Sequence, residues 1–201
     1  MKIVLINGPT GSGKTTLSRL ILKKVENGLA LSTDDYYKTG IISNLLSLFV
    51  GCYFERNISF NSKLLKKDIN FICNNKKFDH SYIYDFKKRV IKKYFIKTFG
   101  IKYLIIEGIF VNDLSTELKK YECLFIRINT NKESCMKRVI NRDLNERGKS
   151  KNQAKKDFLK SWEFFHNKRR RIKSKKNEKV IIYSKKDDIE LVIKGIIKLT
   201  T

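Results

Sequence analysis

The sequence predicts an α/β protein built on a central parallel sheet with helices on both faces. Two features carry that expectation. Strand-length apolar runs alternate with segments of helical spacing along the chain, the pattern of repeated β-α units. Between the first such strand and the first such helix lies a glycine-rich loop ending in Gly-Lys-Thr.

The elements follow in order. Residues 2–6 are an apolar run of strand length, and residues 15–25 have helical spacing through Leu17, Leu20, Ile21 and Leu22. Residues 29–32 read as a short strand. The most apolar stretch, residues 41–54, is interrupted by Ser43, Asn44 and Ser47, so it reads as a buried or lid-side helix. Residues 63–73 read as a helix through Leu64, Leu65, Ile69 and Ile72. Residues 103–106 are continuously apolar, as expected of a central strand covered on both faces. Residues 122–128 are another strand, and residues 132–144 a helix opened by Asn131 as N-cap. A long basic helix is expected over 152–171 and a strand over 179–183. A closing helix over 187–198 begins with Asp187 and Asp188 at the favourable end of its dipole.

The chain of 201 residues reads as one domain, 1–201, without internal repeat or linker. Hydrophobic residues at 41% suffice for a core without disulfides or structural metal. No run of membrane-spanning length and no signal-peptide pattern occurs, so a cytoplasmic protein is expected. Cys52, Cys73, Cys123 and Cys135 are scattered, form no C-x-x-C pair, and have neighbours that predict burial as reduced thiols. The formal charge of +24 admits a nucleic-acid reading, but the lysines are spread along the whole chain. Only 168–176 (KRRRIKSKK) is a dense block, and it reads as the solvated end of a long helix. No RNP or zinc-finger motif is present, so no specific nucleic-acid partner is expected. The field does attract polyanionic substrates such as nucleotides.

Gly8, Pro9, Thr10, Gly11, Ser12, Gly13, Lys14 and Thr15 fit G-x-x-x-x-G-K-[ST] at every fixed position. Glycines let backbone N–H groups turn inward around phosphate oxygens, and the following helix presents its positive end to the anion. Lys14 supplies a cation between the β- and γ-phosphates, and the Thr15 hydroxyl is placed for Mg²⁺. With Thr16 just beyond, these residues form the expected site for ATP or GTP.

Three further segments narrow the chemistry: Leu31-Ser32-Thr33-Asp34-Asp35-Tyr36-Tyr37-Lys38, Leu104-Ile105-Ile106-Glu107-Gly108-Ile109-Phe110, and Arg142-Asp143-Leu144-Asn145-Glu146-Arg147-Gly148-Lys149. With the phosphate loop, their order and spacing resemble the uridine kinase family, within the wider uridine kinase and phosphoribulokinase group. The resemblance spans residues 2 to about 182. It implies a three-layer P-loop kinase with a substrate-side insertion over 39–99 and a lid over 142–150. It implies phosphoryl transfer to a nucleoside, with uridine or cytidine and their 5′-hydroxyl first in expectation.

The resemblance places the catalytic base on Asp34 and a nucleoside-pocket residue on Tyr37. The chemistry agrees, since a carboxylate at a strand tip can accept the proton of an attacking hydroxyl. Of the two adjacent acids, Asp35 takes the structural role. Glu107, at the end of a buried strand, becomes a Mg²⁺-site carboxylate with Thr15 and Asp34. Arg142 and Arg147 become clamps on the triphosphate, because a guanidinium binds phosphate oxygens in pairs. Lys149 stands where the family often has a further Arg. Tyr84-Asp85-Phe86 matches the family's Y-D-[FY], which puts Tyr84 beside the base. Glu55 replaces the family's ribose-holding Asp, and Arg89 replaces its base-reading His. Phe78-Asp79-His80 imitates the family's F-D-H but lies too near Tyr84 to be that segment. The changes at 55 and 89 keep other small acceptors open: nicotinamide riboside, pantothenate or a sugar phosphate. A nucleic-acid-binding P-loop protein rests on charge alone.

Overall fold

A computed structural model describes residues 1–114, 118, 121–171, 179–184 and 189–197. Five strands form one parallel sheet: β1 (Lys2–Asn7), β2 (Gly28–Ser32), β5 (Tyr103–Glu107), β6 (Cys123–Ile128) and β7 (Lys179–Tyr183). Their spatial order is β2-β5-β1-β6-β7. The three most apolar strands therefore occupy the centre, where both faces are covered. Alternation divides β1 between two cores. Ile3 and Leu5 point into one with Leu65, Ile69 and Ile72 of α3 (Ser62–Asn75). Val4 and Ile6 point into the other with Leu17 and Ile21 of α1 (Lys14–Leu22) and Val192 and Ile196 of α7 (Ile189–Ile197). The three-layer arrangement is the expected one.

Between β2 and β5 the chain builds a 3₁₀ turn (Thr33–Tyr36), α2 (Ile41–Phe49), two short 3₁₀ turns, α3, and an antiparallel hairpin of β3 (Lys77–Asp85) and β4 (Val90–Phe99). The hairpin was not expected. Its outer residues are mostly exposed and mix lysine with aromatics, so β4 has no clean polar/apolar alternation. Two other expectations are corrected. Of the two readings of α2, buried or lid-side, the buried one does not hold: Ile41, Ile42, Leu48 and Phe49 are all strongly exposed and only Ser43 is buried. It is held by polar ties instead, Ser43 Oγ donating to Lys38 O at 2.8 Å and lying 2.7 Å from the Tyr53 hydroxyl. Among the cysteines, all free thiols, only Cys135 is buried and the other three are half-buried.

After β5 come a short α4 (Val111–Leu114), then β6, and α5 (Lys132–Arg147) and α6 (Lys151–Arg171), which pack together through Cys135, Val139 and Phe158. Asn131 caps α5, its Oδ1 accepting from Ser134 N–H at 2.7 Å. The side chains of the basic run 168–176 lie outside the described residues, as do Asp187, Asp188 and Lys198. No helix among the described residues is long and apolar enough to cross a membrane.

Candidate active site

The carboxyl ends of β1, β2 and β5 converge, the usual place for a ligand crevice in a parallel sheet. At the tip of β1, the loop from Gly8 leads into α1, whose N-cap is Gly13 at φ 97 with no side-chain cap. A left-handed residue without a Cβ leaves the first-turn N–H groups of α1 open toward the loop. Lys14 Nζ reaches back across the loop and donates to the carbonyls of Gly8 and Pro9, both at 3.1 Å. Thr16, the third residue of α1, is exposed.

Thr15 Oγ1 donates to Glu107 Oε1 at 2.9 Å, joining α1 to the tip of β5. Glu107 is 5% exposed. Burial pushes its carboxyl up; Lys14 and hydrogen bonds from Thr15 and Ser32 oppose the rise, and Asp34 adds to it. Gly108, at φ 142, lies so close to Thr33 that any Cβ there would overlap the Thr33 side chain. This contact presses the end of β5 against the turn that carries Asp34.

Asp34 and Asp35 diverge within that turn. Asp34 lines the cavity, and its Oδ1 is buried with no hydrogen-bond partner among the described residues. Asp35 points to the hairpin, where its Oδ1 accepts from Tyr84 N–H at 3.0 Å. Thr15, Glu107 and Asp34 offer hard oxygen atoms only, the donor chemistry that suits Mg²⁺. Among the described residues no cluster of three or more His, Cys, Asp or Glu could hold a metal by itself. That also fits Mg²⁺, which takes one or two carboxylates and completes its shell with water and substrate phosphates.

A cavity of about 680 Å³ runs from Thr10, Lys14 and Asp34 to the hairpin turn. Tyr37, Glu55 and Arg89 all line it. The Tyr37 hydroxyl donates to Phe54 O at 2.9 Å, and its ring meets Phe54, Tyr84, Phe86 and Phe110 edge-on. Glu55 accepts from Ser161 of α6 at 2.6 Å. Burial pushes the Glu55 carboxyl up against that hydrogen bond. Tyr84 is 6% exposed and is not part of the lining; Phe86, just past the end of β3, lines the cavity together with Tyr37, Tyr53 and Phe54.

The far wall carries cations gathered by one buried acid. Asp143, 2% exposed, accepts from Arg142 Nε and Nη2 at 3.0 and 2.8 Å. It also pairs with Arg147 at 3.6 Å and Lys149 at 3.3 Å. Burial pushes the Asp143 carboxyl up, but Arg142, Arg147 and Lys149 together outweigh it and hold the group below the usual range. The Arg147 guanidinium lies 3.6 Å above the Phe86 ring, so it is fixed from both sides. Arg138, one turn before Arg142, donates to Gly11 O at 3.0 Å and ties α5 to the phosphate loop.

Of the expected residues, Thr10, Lys14, Asp34, Tyr37, Glu55, Arg89, Arg142 and Arg147 line one cavity, Thr15 and Glu107 meet each other, and Tyr84 is not part of the lining. Asp143, Phe86 and Ser161 were not singled out as site residues from sequence. Asp143 had a readable signal, an acid spaced to meet both Arg142 and Arg147. Ser161 had none, since it meets Glu55 only through packing of α6.

A sequence model described as Phosphoribulokinase / Uridine kinase family matches residues 3–184. The chain is 28% identical over 150 residues to a uridine kinase from Borrelia hermsii, covering 75% of this chain and 71% of that one. It is 29% identical over 153 residues to a uridine kinase from Ureaplasma parvum, covering 74% and 72%. Among solved structures, D-glycerate 3-kinase from Cryptococcus neoformans superposes with a TM-score of 0.64 at 14% identity, covering 90% of this chain and 85% of that one. This last likeness is one of fold.

Proposed function

Because this chain belongs to the phosphoribulokinase/uridine kinase family and is a P-loop small-molecule kinase, we propose that its acceptor is a nucleoside, uridine or cytidine, phosphorylated on the 5′-hydroxyl. The observation that carries the reading is the Asp34 carboxylate, which lines the cavity beside Lys14 with one buried oxygen unpartnered among the described residues. A substrate hydroxyl in the cavity is the natural donor to this carboxylate.

In this reading the residues divide the work. Asp34 orients the acceptor hydroxyl and takes its proton as the oxygen attacks phosphorus in line. Lys14 and the open N–H groups of α1 hold the donor phosphates of ATP or GTP. Thr15, Glu107 and Asp34 would hold Mg²⁺, which supplies charge neutralisation on the phosphate oxygens when bound. Arg142 and Arg147 draw charge from the transferring group, and Asp143 keeps their guanidinium planes set. Tyr37 and Glu55 border the acceptor; the Glu55 carboxylate is suited to a ribose diol. The segment 142–150 excludes water from the donor. The reading implies a cytoplasmic enzyme, where both substrates reside.

The reading is tested by a panel of nucleosides with ATP and GTP, analysed by mass spectrometry. A nucleoside monophosphate from uridine or cytidine is the expected product. Phosphorylation of nicotinamide riboside, pantothenate or a sugar phosphate instead would replace the acceptor while leaving the kinase class intact.

Arg147→Lys is expected to lower kcat roughly tenfold or more, because an ammonium cannot reproduce a paired contact on phosphate oxygens. The charge stays, so the pairing with Asp143 is kept and folding is preserved. An unchanged kcat in steady-state assays would remove Arg147 from the transferring phosphate. Nucleic acid, by contrast, should bind weakly, without sequence preference and with steep salt dependence, as counterion release alone dictates. A fluorescence-anisotropy titration across salt concentrations checks this; tight, sequence-selective binding at physiological salt contradicts it.

A further inference from the structure

None of Phe78, Asp79 and His80 lines the cavity. Alternation along β3 puts His80 on the same face as Phe78, Tyr82 and Tyr84. There His80 Nε2 stands 3.8 Å from Asp68 Oδ1 of α3, buried and with no hydrogen-bond partner among the described residues. His80 Nδ1 lies 2.6 Å from Asp79 Oδ1. The other oxygen of Asp68, Oδ2, accepts from the Tyr36 hydroxyl at 3.0 Å. Tyr36 closes the 3₁₀ turn two residues after Asp34. Its ring meets Tyr82 edge-on at 5.4 Å, and Tyr82 meets His80 at 5.0 Å.

Asp68 is a buried acid, 4% exposed, that lies outside the cavity. Burial pushes its carboxyl up, while the Tyr36 hydroxyl and then His80, Lys67 and Lys93 oppose the rise. Burial first, and Asp68 next, push the Tyr36 hydroxyl far above its ordinary value, so it stays a donor. A buried acid is costly without such partners, and an apolar residue would pack α3 equally well. What the acid adds is a fixed end to the turn. Asp34 stands between two sets of ties. Before it, Ser32 Oγ accepts from Asp34 N–H at 3.3 Å. After it, Asp35 holds Tyr84 N–H and Tyr36 holds Asp68.

We infer that Asp68, backed by His80, is a positioning residue for phosphoryl transfer, acting through Tyr36 to hold the Asp34 carboxylate at the cavity. This rests on the reading of Asp34 as the base and deepens it. The test uses ATP, Mg²⁺ and the acceptor panel above. It measures single-turnover rates, KM for ATP and thermal melting for Tyr36→Phe, Asp68→Leu and Asp68→Asn. Tyr36→Phe is also made in the Asp34→Asn background. Tyr36→Phe and Asp68→Leu should each lower kcat roughly 10- to 100-fold, the scale of a reacting group displaced by about an ångström. KM for ATP should hold within about twofold, because donor binding does not use the turn. Asp68→Asn keeps an oxygen for the Tyr36 hydroxyl and should recover most of the rate. In the Asp34→Asn background Tyr36→Phe should cost little more, since the group it positions is already lost.

Lower melting with unchanged kcat in Tyr36→Phe makes the tie purely structural and overturns the inference. So does a full additional loss in the Asp34→Asn background. Should Asp68→Leu fail to fold, Tyr36→Phe decides alone, because it keeps the ring in the core. A slow Asp34→Asn beside a fast Tyr36→Phe removes Asp68 and leaves the base reading standing. Wild-type kcat in Asp34→Asn, or turnover of no acceptor in the panel, overturns both.

Discussion

Lys14→Ala is expected to reduce phosphoryl transfer to background, a loss of roughly 10³-fold or more, the scale seen for cations that stabilise a transferring phosphoryl group. The physical case has two parts. Lys14 is the cation at the mouth of the loop, and phosphoryl transfer is catalysed mainly by position and charge rather than by covalent chemistry. The same side chain also braces the loop through the carbonyls of Gly8 and Pro9. The variant should therefore bind nucleotide more weakly and turn over more slowly. Isothermal titration with a non-hydrolysable nucleotide reports the first effect, and single-turnover kinetics at saturating donor the second. Circular dichroism confirms that the fold survives, since the sheet cores do not use Lys14. Wild-type single-turnover rates in Lys14→Ala would exclude the loop from the chemistry.

Asp34→Asn is expected to cost about 10²–10⁴ in kcat, the usual range for a lost general base. The neighbouring Asp35→Asn should cost far less. The contrast follows from where each carboxylate points. Asp34 lines the cavity, its Oδ1 buried and unpartnered among the described residues, whereas Asp35 spends its Oδ1 on Tyr84 N–H. An amide keeps that acceptor oxygen, so the tie between the 3₁₀ turn and the hairpin persists. The Asp35 carboxyl is pushed up to about 6, by burial first and then by Asp34 and Glu107, against the Tyr84 hydrogen bond. Its folded value thus lies above the ordinary 3.8. The folded state binds the proton more tightly, so Asp35 lowers stability as pH rises through the window between 3.8 and about 6. Asp35→Asn removes that dependence and should melt no lower than wild type at neutral pH. Equal kcat in the two variants would contradict the base assignment. A Mg²⁺ titration of Asp34→Asn separates its two proposed roles, because loss of the metal contact moves the half-saturating metal concentration whereas loss of the base lowers kcat even at saturating metal.

The phosphate end of the site was legible because its physics is local. One run of eight residues supplies the turn, the helix start, the cation and the hydroxyl, and the flanking apolar runs announce a strand and a helix. The central strands were legible for a similar reason, since continuous apolar runs at 3–6 and 104–106 can be satisfied only between two covering layers. The acceptor end is assembled differently. Ser161 meets Glu55 across 106 positions, Arg89 meets Ser47 across 42, and Asp35 holds Tyr84 across 49. No local pattern encodes such pairs; they exist only once α6, α2 and the hairpin have docked.

Two misjudged segments show the same limit. Helix α2 has the composition of a buried helix, yet its apolar residues face outward because no element of the described chain covers them and polar ties fix its position. Tyr84 carries the motif's aromatic identity, yet it packs into the Tyr37 and Phe54 rings, which line the cavity with Phe86 while Tyr84 does not. Sequence determined the sheet, the phosphate loop and the order of the catalytic segments, because hydrophobic periodicity and backbone-mediated anion binding act between near neighbours. Tertiary structure decided what Asp35 holds, where Tyr84 packs and which ring lies under Arg147, because each depends on side-chain direction relative to a partner distant in the chain.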